Sequence, residues 1–571
     1  MSKIAHVRER ITVRPADPAL ALRLEKELRI PAVAARILAG RNFTDADHCR
    51  RFFNPTLEGF HDPFLFRDME KAVSRIMAAL AGGEKIAVYG DYDVDGITGT
   101  AMLVRALRSI GAAVDYFMPN RLTEGYGVST SGVRLIAASG AKLMITVDCG
   151  ITAIEEIALA RKLGIEVIVT DHHEPKESLP AAIALINPKL AGSGYPDHDL
   201  AGVGVVLKLC QALTRATGRA ESLWEPYLDL AALGTVADIV PLRGENRIIA
   251  RFGFERLRST NNCGLAALIE LQGLSGKRIS TSDTVFKLAP CINAAGRIGD
   301  PRRAVELLLT DVPEEAMAFA GDLRIANLER RSIDAEVWRE VSEWVLRSCE
   351  EETDFAIVTG SAAWHAGVIG IVASKLVERF YRPAILFSIG SDGSARGSGR
   401  SIPGLDLVDA LGKCADLLDT FGGHAAAAGM SCKAARIGEF RERFNEVVRS
   451  RVAPEDLVPR VQADAEAELT AVTPQLFSFI KSMEPFGPGN MRPVLYCKNL
   501  HHRYAPRIVG DNHVKMTVTK GGFVMDAIAF NFGERFGEIK TSPLVSLAFS
   551  VDENEWNGRK ALQMDVKGMT L

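Results

Sequence analysis

Asp91, Asp93 and Asp95 lie on alternate residues of one short segment, between an apolar run typical of a strand and a run typical of a helix. Gly96 and Gly99 follow and permit the backbone to turn there. Three carboxylates this close repel one another when ionised, and a divalent cation is the usual means of keeping such a cluster charged at neutral pH. The segment therefore predicts a metal-binding loop.

A calcium-binding loop of the EF-hand type is the alternative interpretation, because its aspartates have a similar spacing. The EF-hand pattern requires a glutamate at the twelfth position and a helix on each side. Counting from Asp91, the twelfth residue is Met102, and a predicted strand precedes the loop. The sequence therefore disfavours a calcium site.

Further acidic residues follow other apolar runs. Asp148 closes the run 143–147, Asp171-His172-His173 closes the run 167–170, and Asp238 closes the segment 233–237. Ligands of an open parallel sheet bind beyond the carboxyl ends of its strands, so acids at that edge meet there. An aspartate after a strand can instead cap the next helix. Four acidic positions of this kind in one predicted sheet favour a common site.

The residue types of this predicted site indicate its metal and its chemistry. Carboxylates with imidazoles and no thiolate favour Mn²⁺ or Mg²⁺ over zinc. At least four acids exceed the needs of one such ion, so two ions with a bridging acid are expected. Such a pair suits the hydrolysis of a phosphoester or a phosphoanhydride.

The elements that must position these residues alternate from Lys85 onward between strand-like and helix-like runs, which is typical of a parallel sheet covered on both faces. Residues 202–238 look helical, and 314–348 form a long, heavily charged helical pattern. We predict an α/β fold in which a parallel-sheet domain is joined by a long helix to a second α/β domain and a C-terminal small β-barrel like an OB-fold, although periodicity alone does not distinguish this barrel from a sandwich. The predicted boundaries are a helical lead-in over 1–80, the parallel-sheet domain over 81–310, the connecting helix over 311–350, the second α/β domain over 351–452 and the barrel over 460–571.

The composition is that of a soluble protein of several domains. The chain has 571 residues and a net charge of −3, which gives no overall sign of a polyanionic partner. Its nine cysteines occur singly and form no CxxC pair, which fits a reducing compartment. The N-terminus lacks the apolar core of a signal peptide, and there is no apolar run long enough to cross a membrane. We expect a cytoplasmic protein.

Four segments resemble, in order and spacing, the motifs of the DHH phosphoesterase superfamily: 91–96, 147–150, 171–173 and 237–238. Further segments resemble those of RecJ-like enzymes, a family of single-strand-specific 5′→3′ DNA exonucleases. These segments are 200–205, 292–297, 364–374, 398–401 and 485–490. The resemblance covers nearly the whole chain and marks only the first 80 residues or so weakly. It implies a DHH domain, a DHHA1 domain and a C-terminal OB-fold.

The resemblance also implies a two-metal site. Asp93 and Asp95 match the pair of aspartates that divides between the two metals, and Asp148 matches the acid that bridges them. Asp91 would be a further ligand of the first metal. Many DHH enzymes place a histidine shortly before the aspartate pair, where this chain has Tyr89, so the first metal is expected to be weakly held.

The remaining members of the site have implied roles as well. His172 and Asp238 match ligands of the second metal. Asp171 would orient an imidazole, as histidines that bind metals generally require. His173 would lie near the scissile phosphate.

RecJ-like enzymes start at a 5′ phosphate, which implies further contacts to DNA. Tyr126 would stack on a base without reading its identity. Guanidinium and hydroxyl groups suit phosphate oxygens. The residues expected to contact DNA are Arg121, Tyr126, Arg297, Ser398, Arg400 and His424.

The resemblance implies an exonuclease that releases 5′-mononucleotides from single-stranded DNA in recombination and repair. It implies a single-strand-binding protein and a RecQ-type helicase as partners, and we expect a monomer with no membrane contact. One alternative is a DHH phosphodiesterase for short oligonucleotides or cyclic dinucleotides, although such chains are generally shorter and lack the β domain. Another is a clamp for single strands that has lost catalysis, although such relatives lose metal ligands that this chain retains.

Overall fold

The N-terminal part of the chain contains a short strand as well as the expected helices. The computed structural model describes residues 9–120, 124–125, 127–556 and 559–571. The first elements are β1 (Arg10–Val13), α1 (Pro18–Leu28), α2 (Ala32–Gly40), α3 (Ala46–Phe53) and α4 (Met69–Ala81).

The chain divides into two compact units. One contains the residues up to Asn54, Ser332–Glu484 and Arg492–Leu571, and the other contains Pro55–Arg331 and Pro485–Met491. The predicted lead-in therefore contributes to both units.

A five-stranded parallel sheet carries the acidic segments in the second of these units. Its elements are β2 (Ile86–Gly90), α5 (Val94–Ser109), β3 (Val114–Phe117), α6 (Thr130–Ala138), β4 (Leu143–Val147), α7 (Ile154–Lys162), β5 (Glu166–Thr170) and β6 (Ala184–Ile186). The strand order is β3-β2-β4-β5-β6, and every pairing is parallel. Gly90, Val147 and Thr170 lie in register at the carboxyl ends of three neighbouring strands. The sheet therefore brings the three following acidic segments to one edge, as predicted.

Helices complete this unit. They are α8 (Gly202–Thr217), α9 (Leu228–Ala237), α10 (Gly244–Leu257), α11 (Cys263–Leu271), α12 (Thr281–Asp283), α13 (Ala289–Ile298) and α14 (Arg302–Leu309), with a π-helical turn at Thr284–Leu288. The prediction that Asp238 ends an element of the sheet is wrong, because it follows the buried helix α9. A short apolar run does not distinguish a strand from a buried helix by periodicity alone.

The long charged helix is present as predicted: α15 spans Pro313–Ser348. A second α/β domain follows, with β7 (Ile357–Ser361), α16 (Ile369–Phe380), β8 (Ala384–Ile389), β9 (Ser394–Arg400), α17 (Leu407–Gly412), β10 (Thr420–His424), β11 (Ala427–Lys433) and α18 (Ile437–Arg451). Its strand order is β10-β11-β9-β8-β7, and β7 and β8 pair in parallel, whereas the other pairings are antiparallel.

The C-terminal residues form a closed β-barrel. The elements are β12 (Arg460–Ala463), β13 (Ala465–Glu466), α19 (Pro474–Ser482), β14 (Leu495–Val509), β15 (His513–Lys520), β16 (Phe523–Ala529), α20 (Phe536–Thr541), β17 (Val545–Trp556) and β18 (Arg559–Thr570). The strand order of the barrel is β14-β15-β16-β18-β17, and β17 pairs back onto β14. Closure of the five strands confirms the predicted barrel of the OB type.

The N-terminal strand and helices pack with these C-terminal strands in the same unit. β1 pairs in parallel with β12, from Arg10 beside Arg460 to Val13 beside Ala463. Arg41 donates two hydrogen bonds of 2.8 Å to the buried carboxylate of Asp464. Within the described residues, no helix is both long and apolar enough to cross a membrane.

Candidate metal centre

The loop after β2 places its three aspartates at the start of α5. Asp93 is the N-cap of that helix, and its Oδ1 accepts a hydrogen bond of 3.0 Å from the N–H of Gly96. Asp95 lies in the first turn, and both Asp91 and Asp95 are buried. A side chain at position 96 would collide with the backbone of Asp91. The turn therefore requires glycine there, and it directs all three acids to the carboxyl edge of the sheet.

Acids and imidazoles from four segments meet at this edge. Their ligand atoms form three groups, each within 4.8 Å: Asp91, Asp93 and Asp148; Asp95, His172 and Asp238; Asp148, His172 and His173. Asp148 and His172 each belong to two groups. The groups therefore form one cluster, linked by Asp148 and His172.

Three polar atoms of the cluster are buried without a hydrogen-bond partner among the described residues: Oδ1 of Asp91, Oδ1 of Asp148 and Nε2 of His172. An unpaired buried polar atom costs about 1–3 kcal/mol. Nε2 of His172 lies 3.1 Å from Oδ1 of Asp148 and 3.6 Å from Oδ2 of Asp238. A divalent cation would satisfy these atoms together, and carboxylates with imidazole fit Mn²⁺ or Mg²⁺.

The electrostatics of the cluster agree with a cation site. Burial, reinforced by the charge of Asp93, raises the pKa of Asp95 to about 7. Burial and the charge of Asp95 raise the pKa of Asp238 to about 9, and burial with the neighbouring aspartates raises the pKa of Asp148 well above its usual value. Burial lowers the pKa of His172 to about 3, so its imidazole is neutral and can act as a ligand. A bound cation would reduce the repulsion between the carboxylates, which contributes to these raised pKa values.

Asp171 is outside the ligand groups and holds His173. Its Oδ1 lies 2.7 Å from Nδ1 of His173 and accepts the backbone N–H of that residue at 3.0 Å, while Oδ2 accepts the N–H of Ile151 at 2.9 Å. Burial would raise the pKa of Asp171, but the hydrogen bonds and charge of His173 lower it. Asp171 thus has the geometry of a residue that orients an imidazole, and that imidazole belongs to His173.

Two helices that sequence reasoning did not assign to the site also contact the acidic loop. The first N–H groups of α8, those of Gly202 and Val203, donate to the two oxygens of Asp95 at 2.6 and 2.8 Å. Asn293 of α13 accepts the N–H of Val94 at 3.2 Å. Segments 200–205 and 292–297 carried a resemblance but no expected role in the metal site, because a glycine or an amide has no recognisable metal-ligand signal in sequence.

Tyr89 is a buried structural residue. Its hydroxyl accepts the N–H of Ser129 at 2.9 Å and donates to the carbonyl of Gly127 at 3.2 Å. The phenol therefore joins the segment that precedes α6 to β2, the strand that Asp91 follows.

The turn after Asp238 is held by the segment Pro485–Met491, which clusters with this unit. The N–H of Leu242 donates to the carbonyl of Pro488 at 2.7 Å, and Nε of Arg243 donates to the carbonyl of Gly489 at 3.1 Å. Ile239 has a φ of 65°, a left-handed conformation that is unfavourable for a β-branched residue. The segment therefore supports a strained turn directly beside an acid of the cluster.

Ser398, Arg400 and His424 lie in the other unit, on one face of the second sheet. Ala427 pairs with Arg400 on one side and with His424 on the other, so the three residues share that face. Nη1 of Arg400 donates to Oγ of Ser398 at 3.2 Å. A Cβ atom at Gly370 would lie 2.8 Å from Oγ of Ser398, so the first turn of α16 adjoins the pair. The three residues are thus together, beside a helix N-terminus.

Three further residues were expected to contact DNA: Arg297, Arg121 and Tyr126. Arg297 lies in the last turn of α13, one residue after Gly296, at which a Cβ atom would lie 2.8 Å from the carbonyl oxygen of Tyr92 in the acidic loop. That helix therefore adjoins the loop that carries Asp91, Asp93 and Asp95. Arg121 and Tyr126 lie outside the described residues.

Three family models match the chain. They are the DHH family, N-terminal domain, over residues 85–235, the DHHA1 domain over 353–450 and the RecJ OB domain over 463–568.

Curated relatives match over most of the chain. The single-stranded-DNA-specific exonuclease RecJ of Bacillus subtilis is 40% identical over 546 residues, which cover 95% of this chain and 68% of the relative. The protein of the same name from Escherichia coli is 38% identical over 565 residues, which cover 94% of this chain and 95% of the relative.

Solved structures are similar throughout the chain. The crystal structure of Thermus thermophilus RecJ in complex with Mn²⁺ has a TM-score of 0.84 and 31% identity, and the match covers 99% of this chain and 80% of that one. The Mg²⁺ complex has a TM-score of 0.77 and 29% identity, with 99% of this chain and 78% of that one covered.

Proposed function

The chain belongs to the RecJ family of single-stranded-DNA-specific exonucleases, and from that membership we propose that it hydrolyses single-stranded DNA from the 5′ end and releases 5′-mononucleotides. It is a metal-dependent exonuclease. The observation that carries the proposal is the single cluster of aspartates and histidines in which Asp148 and His172 are shared between ligand groups.

The proposed assignment of ligands follows these groups. Asp91, Asp93 and Asp148 would hold one ion. Asp95, His172 and Asp238 would hold the other, with Asp148 between them. Mn²⁺ or Mg²⁺ bound there would supply the Lewis acidity that activates water and stabilises charge on the phosphodiester.

His173 and Asp171 have a separate proposed role. Asp171 accepts the proton on Nδ1 of His173, which leaves Nε2 of the same ring for the substrate. Burial opposes protonation of His173, but the hydrogen bond to Asp171 and the nearby acids raise its pKa. His173 is therefore suited to hold a proton beside the scissile phosphate.

Ser398 and Arg400 would bind the 5′ phosphate of the strand. A guanidinium, a hydroxyl and the first N–H groups of α16 together form a suitable environment for a phosphate dianion. His424 lies on the same face of the sheet. We further propose that Arg297, Arg121 and Tyr126 contact the nucleotides that follow.

The barrel offers a binding surface for the rest of the single-stranded DNA. Tyr504 and Arg507 of β14 are exposed and pair with Thr517 and Lys515 of β15. An exposed aromatic ring beside basic side chains binds single strands without sequence preference, because every base has a face that can stack.

The proposed biological setting is DNA recombination and repair. Single-stranded DNA is the substrate that the family acts on. By resemblance we propose a single-strand-binding protein and a RecQ-type helicase as partners, and a cytoplasmic monomer as the working form.

The test compares two labels on one single strand. With Mn²⁺ or Mg²⁺, a labelled mononucleotide should appear first from the 5′ label, and an intact blunt duplex should be spared. Asp148→Ala should abolish release, whereas Asp115→Asn, which removes an exposed acid of the same sheet, should not. Release from the 3′ label first would overturn the proposed polarity. Preferential cleavage of dinucleotides, or strand binding without cleavage, would support the alternative functions.

A further inference from the structure

Helix α8 begins against the acids of the metal centre. The N–H groups of Gly202 and Val203 donate to Oδ2 and Oδ1 of Asp95 at 2.6 and 2.8 Å. The N-cap residue is Ala201, whose methyl side chain cannot accept a hydrogen bond. Asp95, more than one hundred residues earlier in the chain, therefore acts as the cap of this helix. The positive end of the helix dipole stabilises the carboxylate and fixes its direction.

Gly202 also borders the shared acid. A Cβ atom at this position would lie 2.6 Å from Oδ1, 2.7 Å from Cβ and 2.8 Å from Cγ of Asp148. Asp148 is buried and has a φ of 61°, so its side chain starts from a constrained backbone. The carboxylate therefore occupies the space that a side chain at position 202 would need.

A second glycine, Gly234, also borders Asp95. A Cβ atom at Gly234 of α9 would lie 3.0 Å from Oδ1 of Asp95 and would collide with Oγ1 of Thr98. Asp95 thus contacts the start of α8 and lies close to a turn of α9 that lacks a side chain. A side chain added at Gly234 would crowd its carboxylate.

We propose that Gly202 is a positioning residue of the metal centre. Its N–H orients the carboxylate of Asp95, and its lack of a side chain leaves space for the carboxylate of Asp148. The start of α8 therefore fixes the distance between two acids that belong to different ligand groups. This inference rests on the proposed function only in taking the cluster as a metal site.

The experiment compares Gly202→Ala with Gly204→Ala in the full chain. At Gly204, two residues further along the same helix, the nearest atoms to a Cβ atom would be Cδ2 and Cβ of Leu200 at 3.2 and 3.6 Å and Cδ1 of Ile249 at 3.6 Å. Mn²⁺ binding is measured without DNA by titration calorimetry and by the electron paramagnetic resonance spectrum of the bound ion. Gly204→Ala should bind as the wild type does. Gly202→Ala should bind about 10–100-fold more weakly, with an altered spectrum, as expected when a residue that orients a ligand is changed.

A stability cycle covers the case in which Gly202→Ala folds poorly. Asp148→Gly removes the colliding carboxylate and suits the left-handed backbone at that position. In metal-free protein, Gly202→Ala should lower the melting temperature in the wild-type background but not in the Asp148→Gly background.

The outcomes separate the two proposals. If the wild type binds no Mn²⁺, the proposed metal centre is wrong, and the stability cycle still tests the contact. If the wild type binds Mn²⁺ and Gly202→Ala binds it equally well, the positioning role is wrong. Equal destabilisation by Gly202→Ala in both backgrounds would also contradict it.

Discussion

Oδ1 of Asp171 lies 2.7 Å from Nδ1 of His173, and this contact decides which nitrogen of the imidazole remains for chemistry. A carboxylate accepts, so the proton resides on Nδ1 and Nε2 is left unprotonated in the neutral ring. Asp171 also accepts the N–H of Ile151 at 2.9 Å, which anchors the carboxylate itself. The pair therefore behaves as one preorganised unit beside the acids.

We expect Asp171→Asn to lower kcat about 10–100-fold, because an amide no longer fixes the proton on Nδ1. The double variant Asp171→Asn/His173→Gln should be no slower than His173→Gln alone, since both changes disable the same imidazole. Single-turnover rates on a 5′-phosphorylated strand measure this. Multiplicative losses in the double variant would show that Asp171 acts independently of His173.

Gly370→Ala should reduce the preference for a 5′ phosphate over a 5′ hydroxyl. The added Cβ atom would lie 2.8 Å from Oγ of Ser398 and 3.1 Å from Nη2 of Arg400, so it displaces both proposed phosphate-binding groups. Gly438→Ala is the matched control, because among the described residues nothing lies within 4 Å of a Cβ atom there. The measurement is the ratio of kcat/KM for strands with the two ends. An unchanged ratio in Gly370→Ala would count against the assigned phosphate site.

The buried ion pair of Lys208 and Glu245 should contribute strongly to the stability of the parallel-sheet domain. Nζ of Lys208 lies 2.9 Å from Oε1 of Glu245, and both side chains are almost fully buried. Lys208→Met should cost about 3–5 kcal/mol, because it leaves a buried carboxylate unpaired. Hydrogen exchange of the amides in α8 measures the loss.

Two controls accompany this prediction. Lys208→Met/Glu245→Gln should recover part of the loss, because the amide still accepts the N–H of His61 and carries no charge. Arg302→Ala, which removes an exposed ion pair with Asp300, should change stability by about 1 kcal/mol or less. A Lys208→Met variant as stable as the wild type would refute the assigned role.

Arg41→Ala should loosen the C-terminal strands rather than the catalytic domain. The guanidinium donates twice, at 2.8 Å, to Asp464, which is 5% exposed. Removing this partner of a buried carboxylate should cost toward the lower end of about 3–5 kcal/mol, since Nε of Arg14 remains 3.7 Å from the same carboxylate.

Hydrogen exchange in β12 reports this loss directly. Protection there should fall in Arg41→Ala and stay unchanged in Arg50→Ala, whose partner Asp47 is exposed in the same N-terminal segment. Unaltered protection in both variants would mean that the N-terminal segment is held by other contacts.

The sequence by itself determined the chemistry and the architecture. Alternate aspartates after an apolar run, and Asp171-His172-His173 after another, predicted acids at the carboxyl edge of a parallel sheet. The periodicity of strands and helices is a local property, so the parallel sheet and the long helix could be predicted from it. The choice of a closed barrel over a sandwich instead came from the family resemblance, because closure joins strands that are far apart in the chain.

Only the tertiary structure decided which residues contact the buried acids and hold them in place. Asp95 accepts the N–H of Gly202, Asp464 accepts hydrogen bonds from Arg41, and the N–H of Leu242 donates to Pro488 in the turn after Asp238. Each contact joins residues that are far apart in the chain. A glycine that leaves space and a backbone N–H that donates have no pattern in sequence, because their role depends on what packs against them. The acids and imidazoles that gather at the sheet edge could therefore be predicted, whereas the residues that hold them in place could not.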